Sequence, residues 1–221
     1  MLRSDKGHSS ACTLAHHLRS FGNNLTGMRF NLSEVNELIR SRRTIFPEQY
    51  TPRAVHKEII DVILTNATWA PTHGMTQPWR FKIFTGESRA KLAEAVAGLY
   101  RSSTPAESFK QAKFDRFHQR MQRSSAVIAV CMHRDRTGKI AEIEEVEAVA
   151  CAIQNMYLSC TAYGLGAFWS TPKFMYSREM NQFLGLEDPD KCLGLFYLGY
   201  TDIEWPNSHR KPLEYVAEWM E

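Results

Sequence analysis

The polar and apolar positions of this chain follow two periods, and they alternate along its length. Val35, Leu38 and Ile39 recur at helical spacing behind Ser33, which predicts a helix capped by that serine and ending near Arg43. Thr51-Pro52 reads as an N-cap with proline at the first helical position. It introduces Val55, Ile59, Ile60, Ile63, Leu64 and Ala67 at helical spacing before the stop at Pro71. Trp79, Phe81 and Ile83 alternate with Arg80 and Lys82, the period of a half-buried strand. Residues 87–99 and 106–122 read as amphipathic helices, the second strongly basic with Phe109, Phe117 and Met121 on its apolar side. Ala126 to Met132 is a continuous apolar strand.

The stretch from Glu144 to Leu165 opens on an acidic turn and then carries apolar residues on most faces. This predicts a helix buried nearly all round, in the middle of a core or a subunit interface, ended by Gly164 and Gly166. Ala167-Phe168-Trp169 starts another strand, and Leu193 to Tyr200 is a further buried one. The elements predict an α+β domain with a mostly antiparallel central sheet flanked by helices. No repeat or low-complexity tract interrupts it.

Composition narrows the class. Of 221 residues, 43% are hydrophobic and 23% charged, as in an ordinary globular protein, and no apolar run approaches the roughly eighteen residues of a membrane span. Five scattered cysteines, Cys12, Cys131, Cys151, Cys160 and Cys192, never fall in a C-x-x-C spacing. A disulfide framework or zinc site is therefore not expected; each reads as a small core hydrophobe, and a cytoplasmic setting fits. The net charge of +3 has no concentrated basic face behind it, so nucleic acid is not an expected partner. Residues 1–27 hold Arg3, Lys6 and Arg19 against Asp5 and lack a secretory pattern. They read as a disordered leader or upstream extension, with one domain over 28–221.

Two segments carry the candidate chemistry. Arg42-Arg43-Thr44 sets two guanidinium groups and a hydroxyl where a helix stops, which suits a phosphate or another rigid anion. Arginines there also complement the helix dipole. Ala70-Pro71-Thr72-His73, followed by Gln77-Pro78-Trp79, is a proline-bounded turn with a histidine at its apex, feeding a strand.

This pair resembles the signature of the nitroreductase family. The resemblance extends through Gly164-Leu165-Gly166 with Trp169 after it, Leu184-Gly185-Leu186, Leu198-Gly199-Tyr200, and Arg210-Lys211-Pro212-Leu213-Glu214, in order from about Leu32 to Trp219. His73 points to the small, minimal members. Two departures stand out: Phe46 occupies a place where many relatives put a basic residue, and the asparagine common before Gln-Pro-Trp is replaced around Met75-Thr76.

The resemblance implies a homodimer with flavin mononucleotide (FMN) at the subunit interface and NAD(P)H as co-substrate. Hydride would pass to flavin N5, and then two electrons to a small-molecule acceptor such as a nitroaromatic or quinone. By the same resemblance Arg42 and Arg210 hold the FMN phosphate, with Arg43 and Thr44 at phosphate, ribityl or ring edge. Trp69 and His73 reach the flavin of the other subunit, and Trp169, Ser170 and Thr171 lie along the isoalloxazine. No general acid and no metal is implied. Two other readings stay open: a non-catalytic FMN-binding or storage protein, and a flavin reductase acting on halogenated aromatics or activated alkenes. No arginine pattern for a 2′-phosphate can be placed. The basic segment 106–122 reads as a solvated face, or as a lid over the pocket.

Overall fold

Among the described residues six α-helices and four strands follow one another. Five of the helices and all four strands come in the order the periodicities predict, with several boundaries moved by contacts that local sequence does not contain; a short sixth helix at Arg178–Phe183 was not expected. A computed structural model describes residues 30–220; the expectations for residues 1–27 lie outside them. The chain divides between Glu37 and Leu38 into two compact units. Helix α1 spans Leu32–Ser41. Its cap is Asn31 rather than Ser33: Asn31 Oδ1 accepts the N–H groups of Ser33 at 3.0 Å and Glu34 at 3.4 Å. Ser33 is already inside the first turn, so its own N–H is one of the donors that needs satisfying.

Helix α2 covers Lys57–Ala67, starting five residues later than Thr51-Pro52 predicts. Tertiary hydrogen bonds hold the intervening segment extended. Thr51 N–H donates to Tyr200 O at 2.8 Å, Val55 N–H to Ser125 Oγ at 2.9 Å, and Ser125 Oγ–H to Arg53 O at 3.1 Å. Strand β1 is Trp79–Phe84, followed by α3 at Ser88–Ser103 and α4 at Gln111–Arg123. Strand β2, Ala126–Met132, is buried at every residue. Helix α5 runs Glu142–Ala162, and β3 follows at Leu165–Ser170 after a turn at Gly164, whose φ is +66°. Gly166 therefore lies inside a strand instead of ending the helix. A short helix α6, Arg178–Phe183, precedes β4 at Lys191–Tyr200.

The sheet order is β1-β2-β4-β3, antiparallel throughout, as the α+β reading expects. Helices α2 and α5 cover one face, and α3 and α4 the other. On the second face Phe117 and Met121 anchor α4 in the core. Helix α5 buries the side that meets the sheet and α2, but Ala150, Cys151 and Gln154 are exposed. Within one chain the helix is therefore not in the middle of a core, and Cys151 is not a core residue: one sheet covers one side of a helix, and the expectation of a subunit interface concerns the side left exposed. Cys131, Cys160 and Cys192 are buried, as expected.

Tyr50 explains two of the glycine motifs. Gly166 and Gly199 are directly paired across β3 and β4, and the Tyr50 ring lies over the pair. A Cβ on either glycine would come within 2.7 Å of that ring. The Tyr50 hydroxyl sits 3.0 Å from Ile45 O and 3.3 Å from Tyr197 O. Ile45 N–H in turn donates to Ala167 O at 3.0 Å, so the chain leaving α1 runs along the outer edge of β3. No helix among the described residues is long and apolar enough to cross a membrane.

Candidate functional site

The end of α1, the outer edge of β3 and one residue of α5 converge. Arg42 lies over the Tyr157 ring, its guanidinium carbon 5.2 Å from the centroid. Tyr157 Oη accepts the Trp169 backbone N–H at 2.7 Å. Burial raises the Tyr157 pKa, partly offset by the Trp169 N–H, by Thr44 and by the Arg42 charge. The phenol stays neutral near pH 7 and can hold the strand edge through a full hydrogen bond. Sequence reasoning missed Tyr157 by counting it among the apolar residues of its helix. A tyrosine whose ring is buried needs a partner for its hydroxyl, and that was the available signal.

The two adjacent arginines do different work. Among the described residues no carboxylate pairs with Arg42, and Thr44 beside it is exposed. A guanidinium without a counter-ion next to a hydroxyl fits a phosphate oxygen set. Arg43 instead satisfies backbone carbonyls: its Nε donates to Pro206 O at 2.6 Å, and one terminal nitrogen to Arg40 O at 2.5 Å and Arg42 O at 3.0 Å. Trp205 Nε1–H donates to Ser41 O close by. The tail beyond β4 is thus fastened to the end of α1. Arg210 follows four residues later, exposed, with its guanidinium on Ser208 Oγ at 2.7 Å and His209 O at 2.9 Å. The structure does not bring it into contact with Arg42.

At the end of β3, Trp169 Nε1–H donates to Leu193 O at 3.2 Å. Gly194 makes room for this: its φ is +128°, and a Cβ there would lie 2.6 Å from Trp169 Nε1 and 2.7 Å from Ser170 O. Two cavities share Trp169. One, of about 410 Å³, lies between β3 and α4 and includes Ser170 and Thr171; the other, of about 240 Å³, lies toward α5 and Leu193. A larger groove of about 1110 Å³ runs along residues 50–61 and contains none of the predicted site residues.

Trp69 and His73 stand apart from this cluster. Trp69 is 82% exposed after α2. His73 Nδ1 lies 2.8 Å from Glu144 Oε2 in the first turn of α5, a partner absent from the sequence reading. The turn after it is unusual, because Met75 at φ +55° and Gln77 at φ +45° join Gly74 in the left-handed region. Thr72 Oγ1 accepts Gln77 N–H at 3.2 Å and meets Thr76 Oγ1 at 3.1 Å, and Arg80 donates to Gln77 O at 2.9 Å. Side chains therefore over-determine a backbone that costs about 1–3 kcal/mol per such residue. Phe46 packs against Phe168 with centroids 4.9 Å apart and the rings tilted by 56°, and Arg120 lies over both rings while pairing with Glu48 at 2.8 Å. Among the described residues, no cluster of histidine, cysteine and carboxylate side chains is arranged to hold a metal ion.

Comparison with known proteins agrees with the motif order. A family model described as the nitroreductase family matches residues 39–200. The Bacillus subtilis protein YfhC, which carries an NAD(P)H nitroreductase name, is 31% identical over 184 residues, covering 82% of this chain and 91% of its own. Among solved structures, a nitroreductase-like family protein from Bacillus cereus superimposes with a TM-score of 0.75 at 26% identity, over 89% of this chain and 100% of that one. The FMN-dependent nitroreductase NfnB of Mycobacterium smegmatis, solved in complex with NADPH, shares the fold at a TM-score of 0.67 and 18% identity, over 86% of this chain and 100% of its own.

Proposed function

Because this chain belongs to the nitroreductase family, we propose that it is an FMN-dependent NAD(P)H oxidoreductase that works as a homodimer, with FMN at the subunit interface. Its second substrates would be nitroaromatics, quinones or similar electron-poor acceptors. The observation that carries this reading is the Arg42 guanidinium, without a carboxylate partner among the described residues, two residues before Thr44 and over Tyr157, whose phenol accepts the Trp169 N–H of β3.

FMN supplies the redox chemistry when bound, taking a hydride from NAD(P)H and returning two electrons to the acceptor. The chain's own residues bind and orient. Arg42 would hold the phosphate with charge-assisted hydrogen bonds, and Thr44 would add a neutral one. Arg43 would act at one remove, by fixing the end of α1 on which Arg42 sits. Arg210 would join the phosphate by movement of its exposed tail. Trp169, Ser170 and Thr171 would line the ring, with Tyr157 and Gly194 fixing their backbone. Trp69 and His73 lie outside this cluster and are exposed, which supports a role toward the flavin of a partner subunit. No side chain of the site is assigned a proton transfer.

The test is an absorbance spectrum of the purified protein, a sizing measurement, and anaerobic addition of NAD(P)H. A yellow dimer that bleaches and recovers its colour with a nitroaromatic supports the reading. A yellow dimer that does not bleach is a flavin-binding protein without turnover. A colourless monomer that takes up no FMN on titration overturns the proposal.

A further inference from the structure

We propose that the cavity of about 410 Å³ between α4 and the end of β3 is a receptor for an oxyanion group, phosphate or carboxylate, carried by a substrate that exchanges electrons at the flavin. The inference rests on the flavin reading above and adds a substrate property to it. Lys113, Arg116 and Arg120 stand at i, i+3 and i+7 on α4, so all three face one side of the helix, and all three line the cavity. Across from them are Phe168, Ser170 and Thr171 at the end of β3. No carboxylate is among the lining residues.

The three cations are not equivalent. Glu48 answers Arg120, which is fixed between its aromatic neighbours. Lys113 Nζ lies 4.7 Å over the Tyr100 ring, with no carboxylate partner among the described residues. Arg116 is exposed and makes no ion pair among the described residues. Like charges a turn apart repel, and a bound anion turns that repulsion into attraction. The volume falls in the range of small-ligand sites, about 300–1000 Å³. The cationic residues come from α4, and the hydroxyl-bearing and aromatic residues from the end of β3. This suits a ligand that places its anion on the α4 side. Two sources supply such a group: the 2′-phosphate of the dinucleotide donor, or a carboxylate or phosphate on the acceptor.

Calorimetric titration separates them, with adenosine 2′-monophosphate against adenosine and 4-nitrobenzoate against nitrobenzene, on the wild type and on a K113A/R116A double variant. Both positions are exposed, so the variant is expected to keep its fold and its flavin content. The wild type should bind the charged member of one pair at least tenfold more tightly than its neutral counterpart, and the variant should bring that ratio within twofold. Preference for the nucleotide assigns the cavity to the donor, and preference for nitrobenzoate assigns it to the acceptor. No preference in either pair, or one that survives in the variant, overturns the assignment. A yellow, NAD(P)H-oxidising wild type without charge preference overturns the cavity alone. A colourless protein overturns the flavin reading, while the titrations still test the cavity.

Discussion

The phenolic oxygen of Tyr157 accepts the backbone N–H of Trp169 at 2.7 Å, joining the long helix to the strand that begins just after it. Tyr157→Phe leaves that N–H without its partner next to a packed ring. The expected cost is about 1–3 kcal/mol, the usual consequence of an unsatisfied buried donor. Because the same strand end is proposed to line the flavin, FMN affinity should fall as well. Chemical denaturation and flavin titration of the variant measure the two effects; an unchanged FMN affinity would separate the strand end from the cofactor.

Arg42 and Arg43 should divide on substitution. Arg42→Ala is expected to weaken FMN binding tenfold or more, consistent with about 1.5–3 kcal/mol for hydrogen bonds to a charged group, while thermal stability changes little. Arg43→Ala should lower the melting temperature, because it unfastens three carbonyls and the tail. Retained absorbance at full occupancy in Arg42→Ala would reassign the phosphate contact.

The slot for Tyr50 predicts a contrast between glycines. Gly199→Ala puts a methyl 2.7 Å from the ring and should destabilise by about 1–3 kcal/mol through overpacking. Gly98→Ala, inside α3 with nothing within 4 Å of its added carbon, should stabilise by about 0.5–1 kcal/mol. Melting curves of the two variants should move in opposite directions.

Asp135 sets an acid limit. The Thr137 hydroxyl, then the Thr137, Ile140 and Lys139 N–H groups, hold its carboxyl down at about 2. A folded-state value below the ordinary one means that ionised Asp135 favours the fold above about pH 4, and that this contribution is lost as the pH falls toward about 2. Asp135→Asn should flatten stability against pH in that window and leave the profile above pH 5 unchanged in shape. Urea midpoints measured from pH 2 to pH 6 would test it.

The strands and the order of the helices were legible in the chain because each carries its own period. Ala126–Met132 is apolar without a break, and it is the strand buried at every residue. The start of α2 was not legible, because Thr51 and Val55 give their N–H groups to Tyr200 and Ser125, far away in sequence. The site was legible as residue types and hidden as geometry. Two neighbouring arginines look alike in a row of letters, yet one lies over the Tyr157 ring with no carboxylate partner among the described residues and the other is spent on carbonyls. Glu144 and Tyr157 were read only as parts of a helix, since their partners, His73 and Trp169, meet them only once the sheet has formed.

The clasp between Ser41–Arg43 and Trp205–Pro206 couples the two ends of the catalytic unit mechanically. A protease nick, a fusion partner or a pull on the last sixteen or so residues would be felt where Arg42 stands. With Arg42 on the FMN phosphate as proposed, the condition of the segment beyond β4 would set how firmly the cofactor is kept.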